Sequence, residues 1–135
     1  MIWFYLGIIV FGGLMFLLMR LPTTSKGKLD LNLVKRRWSE VEEGVKKSGA
    51  GRKQAVIEAD KLLDYVLKQQ GYNGQTMAER LKKAENTLHD KEAVWQAHKL
   101  RNRLVHETDA DLMGDMGKRD VAAIKQAIND LGVKV

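Results

Sequence analysis

The sequence has no cysteine and a single proline in 135 residues, and only 7% of its residues are aromatic. Without cysteine there is no disulfide, no thiolate metal site and no cysteine nucleophile. One proline leaves long helices uninterrupted and excludes a proline-rich linker. Few aromatics argue against a β-sandwich or barrel. The length allows one ordinary domain, or a domain plus an anchor, and excludes a large α/β enzyme with separate substrate and cofactor domains. Charge is missing altogether from residues 1–19.

The charge that is present is unevenly spread. Residues 20–53 hold ten Lys/Arg against four Asp/Glu, which accounts for the whole net charge of +6, while residues 54–135 hold 13 of each sign. A generally basic nucleic-acid-binding fold would distribute its excess differently.

The uncharged run MIWFYLGIIVFGGLMFLLM, Met1 to Met19, predicts a transmembrane signal-anchor. As a helix it would rise roughly 28 Å, close to the hydrocarbon thickness of a bilayer. Trp3 and Tyr5 suit the interface, and Gly7, Gly12 and Gly13 are tolerated in membrane helices. A cleaved signal peptide would need a charged start and small residues at the cleavage site; nothing charged but the α-amino group precedes the run, and Arg20-Leu21-Pro22 follows it. Arg20, Lys26, Lys28, Lys35, Arg36 and Arg37 all lie on the C-terminal side. The positive-inside rule then predicts a single-pass protein with its N-terminus outside and its C-terminal domain cytoplasmic. The lipid bilayer is its first expected partner.

The remainder predicts an all-α chain: a basic tether over 20–29, then an antiparallel bundle of about five helices over 30–135. Leu31, Val34, Trp38, Val41 and Val45 form one apolar stripe, ending near Lys47 and a Ser48–Gly51 turn. A second helix runs from about Arg52 to Gln70 with Val56, Ala59, Leu63, Val66 and Leu67 inward, and Gly71 is placed to end it. Thr76-Met77-Ala78-Glu79 is a capping box opening a third helix with Met77, Leu81, Ala84 and Leu88 inward. A fourth spans about Lys91–His106, with Val94, Ala97, Leu100, Leu104 and Val105 apolar. Thr108–Gly117 is an acidic loop, and a last helix runs from about Lys118 to Leu131 with Val121, Ile124 and Ile128 at helical spacing.

Most enzyme signatures are absent. Lys46–Lys53, KKSGAGRK, lacks the strand and the Gly-Lys-Ser/Thr ending of a P-loop and reads as a basic turn. His98 and His106 are two turns apart, roughly 12 Å of rise, so they cannot share a metal ion, and neither a metal nor a cofactor is expected. The fourth helix carries the one constellation with chemistry in it. His98, Asn102 and His106 follow at i, i+4 and i+8 on one face, with Arg101 beside them. A histidine moves a proton at physiological pH and an arginine stabilises phosphate charge, which are parts needed for metal-independent RNA cleavage. One chain supplies one such set; a two-fold dimer would supply a second.

Arg101-Asn102-Arg103-Leu104-Val105-His106 resembles the R-N-x-x-x-H motif of the HEPN superfamily, small helical bundles that are often dimeric and in many cases RNases. The resemblance implies Arg101, Asn102 and His106 as catalytic residues, His98 and Arg103 as substrate-binding residues, a homodimer, and RNA or a nucleotide as ligand. Thr108 stands where the HEPN toxins have a tyrosine. The superfamily also has non-catalytic members. Two readings therefore stand open: a membrane-anchored, HEPN-like binding or scaffold domain with an unknown protein partner, which leads, and a metal-independent RNA endonuclease. As a bland alternative, Arg101 and His106 cap the helix C-terminus and hydrogen-bond neighbouring helices, with Glu107 or Asp109 paired to Arg101 or Arg103.

Overall fold

A computed structural model describes residues 2–19, 27–106 and 115–135. Among them are six α-helices: α1 (Ile2–Met19), α2 (Leu31–Lys46), α3 (Ala50–Gln69), α4 (Met77–Ala84), α5 (Lys91–His106) and α6 (Met116–Asp130), with a 3-10 turn at Glu85–Thr87 after α4. Residues 20–26 of the expected tether and 107–114, which include most of the expected acidic loop and the acids Glu107 and Asp109, lie outside the described residues.

The expected transmembrane segment is corrected. α1 has 18 residues. Among the described residues no helix is long and apolar enough to cross a membrane. The single-pass topology, the cytoplasmic placement and the bilayer as partner all rested on that span and fall with it. The side chains of α1 from Tyr5 to Phe16 are exposed.

Helices α2 to α6 share one core. Asp30 caps α2 by accepting from the Leu33 N–H at 3.0 Å. Val34, Trp38 and Val41 of its stripe are buried. Leu31 is 49% exposed; it sits in the first turn, where Leu29 packs on the core instead. α3 begins at Ala50, two residues earlier than the sequence predicts, because the chain reverses at Gly49 alone, with φ +55°. It ends as expected: Gly71 at φ +89° lets the Tyr72 N–H reach the Leu67 carbonyl at 3.0 Å and its own N–H reach Lys68 at 3.1 Å.

α3 is the central helix, packed against α2, α4, α5 and α6. That position explains its burial on more than one side, through Ala55, Val56, Ala59, Leu62, Leu63, Val66 and Leu67. α4 opens with Thr76 accepting from the Glu79 N–H at 3.2 Å, as the capping box predicts. The Glu79 carboxylate, however, accepts from Gln75 rather than from Thr76, at 2.8 Å. α4 is tied to α3 through Arg80, which is buried and grips Asp64 with two N–H groups, Nε at 2.7 Å and Nη2 at 3.2 Å. Its Nη1 donates to the Gly74 carbonyl. Burial pushes the Asp64 carboxyl up, but hydrogen bonds from Arg80 and Lys68 outweigh it and hold the group below its ordinary range. α5 buries Val94, Ala97, Leu100 and Leu104, and α6 buries Val121, Ile124 and Ile128. α5 and α6 lie side by side against α3.

Candidate functional site

The polar centre of the bundle starts from one acid on the wrong face of a helix. Asp60 sits in α3 at the fourth position after Val56 and the third before Leu63, so it points inward with them and is 2% exposed. A buried carboxylate is tolerated only when it is well partnered. α5 supplies the partners. His98 Nδ1 lies 3.0 Å from Asp60 Oδ1, and Arg101 Nε lies 3.5 Å from Oδ2. A carboxylate accepts and does not donate, so His98 donates through Nδ1, and in the Nδ1–H tautomer Nε2 is an acceptor. Nε2 faces the Asn102 amide nitrogen at 3.5 Å. The Asn102 oxygen in turn accepts from Arg101 Nη1 at 2.9 Å. Trp95 meets the His98 ring edge-on, with centroids 6.1 Å apart. The result is a connected chain from Asp60 through His98 to Asn102 and Arg101.

The predicted site residues therefore divide. His98, Arg101 and Asn102 are brought together. His106 is exposed in the last turn of α5, and among the described residues no hydrogen bond or ion pair joins it to Arg101 or Asn102. Arg103 is exposed on the other side of Asn102. Asp60, which anchors the group, was not among the expected residues. Its one signal in the sequence is its place on the apolar stripe of α3. Among the described residues no three His, Asp or Glu side chains are grouped to hold a metal ion.

Beside this network runs a groove of about 690 Å³ between α5 and α6. Ala93, Leu100, Met116 and Ala123 give it an apolar floor, and Lys99, Arg103 and Arg119 give it a cationic rim. Asn102 forms part of the same wall. Among the described residues the one acid lining it is Asp120, whose carboxyl is pushed up by burial, against the opposing pull of Arg119 and Arg103. A second cavity of about 410 Å³ between α2 and α3 sets Arg37 and Lys47 against Glu40 and Glu58, so its charges balance.

These features define an all-α helical-bundle domain whose α5–α6 groove is lined, among the described residues, by three cations and one acid. No protein-family model, no curated protein and no solved structure matches the chain. The HEPN-like membership expected from Arg101, Asn102 and His106 is corrected on that finding, since no family model matches. Arg101 and Asn102 are engaged with Asp60 and His98, and among the described residues no bond joins either to His106. The membrane-anchored HEPN-like scaffold and the RNA endonuclease go with it. So do the homodimer, the RNA or nucleotide and the protein partner that those readings implied.

Proposed function

We propose that the domain binds a small amphipathic anion, an apolar body carrying a carboxylate or phosphate head, in the groove between α5 and α6. The observation that carries this reading is the cationic rim of Lys99, Arg103 and Arg119 standing over an apolar floor. The groove is of the size that encloses a small organic ligand. Its floor favours displacement of water by hydrocarbon, and its rim favours negative charge at one edge. Arg103 and Arg119 present planar forks suited to two oxygens of one head group. Asn102 and Arg103 are then ligand contacts, and His98 and Arg101 support Asn102 from behind. Bringing the anion in also relieves the mutual repulsion of the three cations, which among the described lining residues only Asp120 offsets.

Isothermal titration with decanoate and decyl phosphate, with decanol and decyltrimethylammonium as comparators, tests this. The anions are expected to bind at least tenfold more tightly than either comparator. Arg103→Ser with Arg119→Ser is expected to remove that preference without altering the melting temperature, because both residues are exposed. Equal binding of all four probes, or an anion preference that survives both substitutions, would refute the reading.

A further inference from the structure

We infer that the buried Asp60–His98 pair is a positioning device that turns Asn102 into a hydrogen-bond donor for the head group in the α5–α6 groove. This rests on the groove reading and names how one of its residues discriminates. The argument follows the protons. Asp60 Oδ1 accepts from His98 Nδ1 at 3.0 Å, which leaves Nε2 with a lone pair. That lone pair faces the Asn102 amide nitrogen at 3.5 Å. On the other side, Arg101 Nη1 donates to the Asn102 oxygen at 2.9 Å. Arg101 is itself held toward the same carboxylate, its Nε 3.5 Å from Asp60 Oδ2.

One buried acid thus accepts from one neighbour of a single amide and attracts the charge of the other, whose Nε makes no hydrogen bond among the described residues. Turned the other way, Asn102 would set its oxygen against the His98 lone pair and its NH2 against the guanidinium, and both contacts would repel. The amide is therefore held with its nitrogen toward His98 and its oxygen toward Arg101. An amide nitrogen carries two N–H groups, and His98 takes one. Among the described residues the second is unclaimed by any hydrogen bond, and Asn102 lines the groove with Lys99 and Arg103. On this stretch of α5, Lys99, Asn102 and Arg103 then all present donors to the groove, whose lining also holds Gln96 and Asp120. An amide oxygen there would oppose an incoming oxyanion. Asn102 is the specificity-determining contact, and Asp60 and His98 are positioning residues that never touch the ligand.

The relay is tested first without ligand, so that it stands or falls separately from groove binding. Long-range 1H–15N spectra of the full chain at pH 8 are expected to show His98 as the Nδ1–H tautomer. Its Nε2 shift is expected to move on Asn102→Leu. An Nε2–H tautomer overturns the inference. Decanoate titration is the second arm. Loss of a hydrogen bond to a charged group is expected to weaken decanoate about tenfold in Asn102→Leu. Decanol binding should be unchanged, a selectivity that a general loss of structure would not produce. Asp60→Asn is expected to shift the His98 nitrogens and lower decanoate affinity. Because that acid is buried, Arg101→Met serves as the second variant: it frees the Asn102 oxygen from a half-exposed position and should weaken decanoate about threefold. Decanoate affinity unchanged by both Asn102→Leu and Arg101→Met overturns the donor role. The Nδ1–H tautomer in a protein that binds no decanoate overturns the groove reading, and the donor role with it.

Discussion

Arg80 is the side chain whose removal should be felt most. It is buried and fills three acceptor positions at once: both oxygens of Asp64 and the Gly74 carbonyl. In Arg80→Ala, Asp64 keeps only its bond to Lys68, at 2.9 Å on a largely exposed lysine, and the Gly74 carbonyl loses its donor. Each stranded polar group costs about 1–3 kcal/mol, and breaking a buried pair from one side costs about 3–5 kcal/mol. Asp64 retains 18% of its exposure, so the lower end applies, and the expected loss is about 3 kcal/mol. For a domain of this size that lowers the melting temperature by roughly 12–24 °C. Urea titration of wild type, Arg80→Ala, Asp64→Asn and the double variant would isolate the pair, with an expected coupling of at least about 1.5 kcal/mol. The same series has a pH signature. Asp64 is held below its ordinary value in the fold. Its stabilisation is therefore complete above the usual aspartate range and lost as pH falls through the lower, folded value. Between neutral pH and pH 3 the Arg80→Ala protein should lose less stability than wild type. A loss below about 1 kcal/mol, or identical pH slopes in the two proteins, would refute the argument.

Three further outcomes are expected. Gly49→Ala should cost about 1–2 kcal/mol in urea unfolding, although a methyl group there meets nothing within 4 Å, because φ is +55° and the loss is one of backbone conformation. Asp120 is pushed up by burial, so its contribution is present below the ordinary aspartate value and lost as pH rises through the folded one. Asp120→Asn should then stabilise the domain by about 0.5 kcal/mol at pH 7 but not at pH 3, and tighten decanoate about threefold by removing an acid that lines the groove. Lys125 donates to Glu42, the first reason that carboxyl is lowered, and lies 5.9 Å over the Trp38 ring. Both partners of that ion pair are more than a third exposed, so Lys125→Met should cost under about 1 kcal/mol, less at high salt, with a change in Trp38 fluorescence.

Local periodicity made much of this fold legible. The stripe Val34, Trp38, Val41, the cap at Thr76 and the glycine stop at Gly71 depend on neighbours three to five residues away, and the structure has all of them. What could not be read depends on distance along the chain. Asp60 and His98 are 38 residues apart, and an acid in a helix ordinarily faces water, so its inward place carried no weight. The groove is a property of two helices together: Lys99 and Arg103 belong to α5, Arg119 and Asp120 to α6, and none of the last pair stands out in sequence. The R-N-x-x-x-H spacing misled for the opposite reason. Six residues of a helix are a short match that no family model supports, and Arg101 lies toward Asp60. An uncharged run likewise read as a span, whereas among the described residues no helix is long and apolar enough for one.

The central place of α3 also governs how the domain comes apart. Four helices rest on it, and one of them, α6, is pinned near its far end by Gln70 donating to the Leu131 carbonyl at 3.0 Å. α5 and α6 also pack on each other, but α3 is the helix that all four others touch. Undocking α4 bares one flank of α3, and undocking α5 strands Asp60. Amide protons in the middle of α3, around Leu62 to Val66, should therefore exchange with solvent only when the whole bundle opens. Those at the ends of α4 should exchange through small local openings. Stability in this domain is held in common, so damage at any outer helix is registered by the same innermost turn.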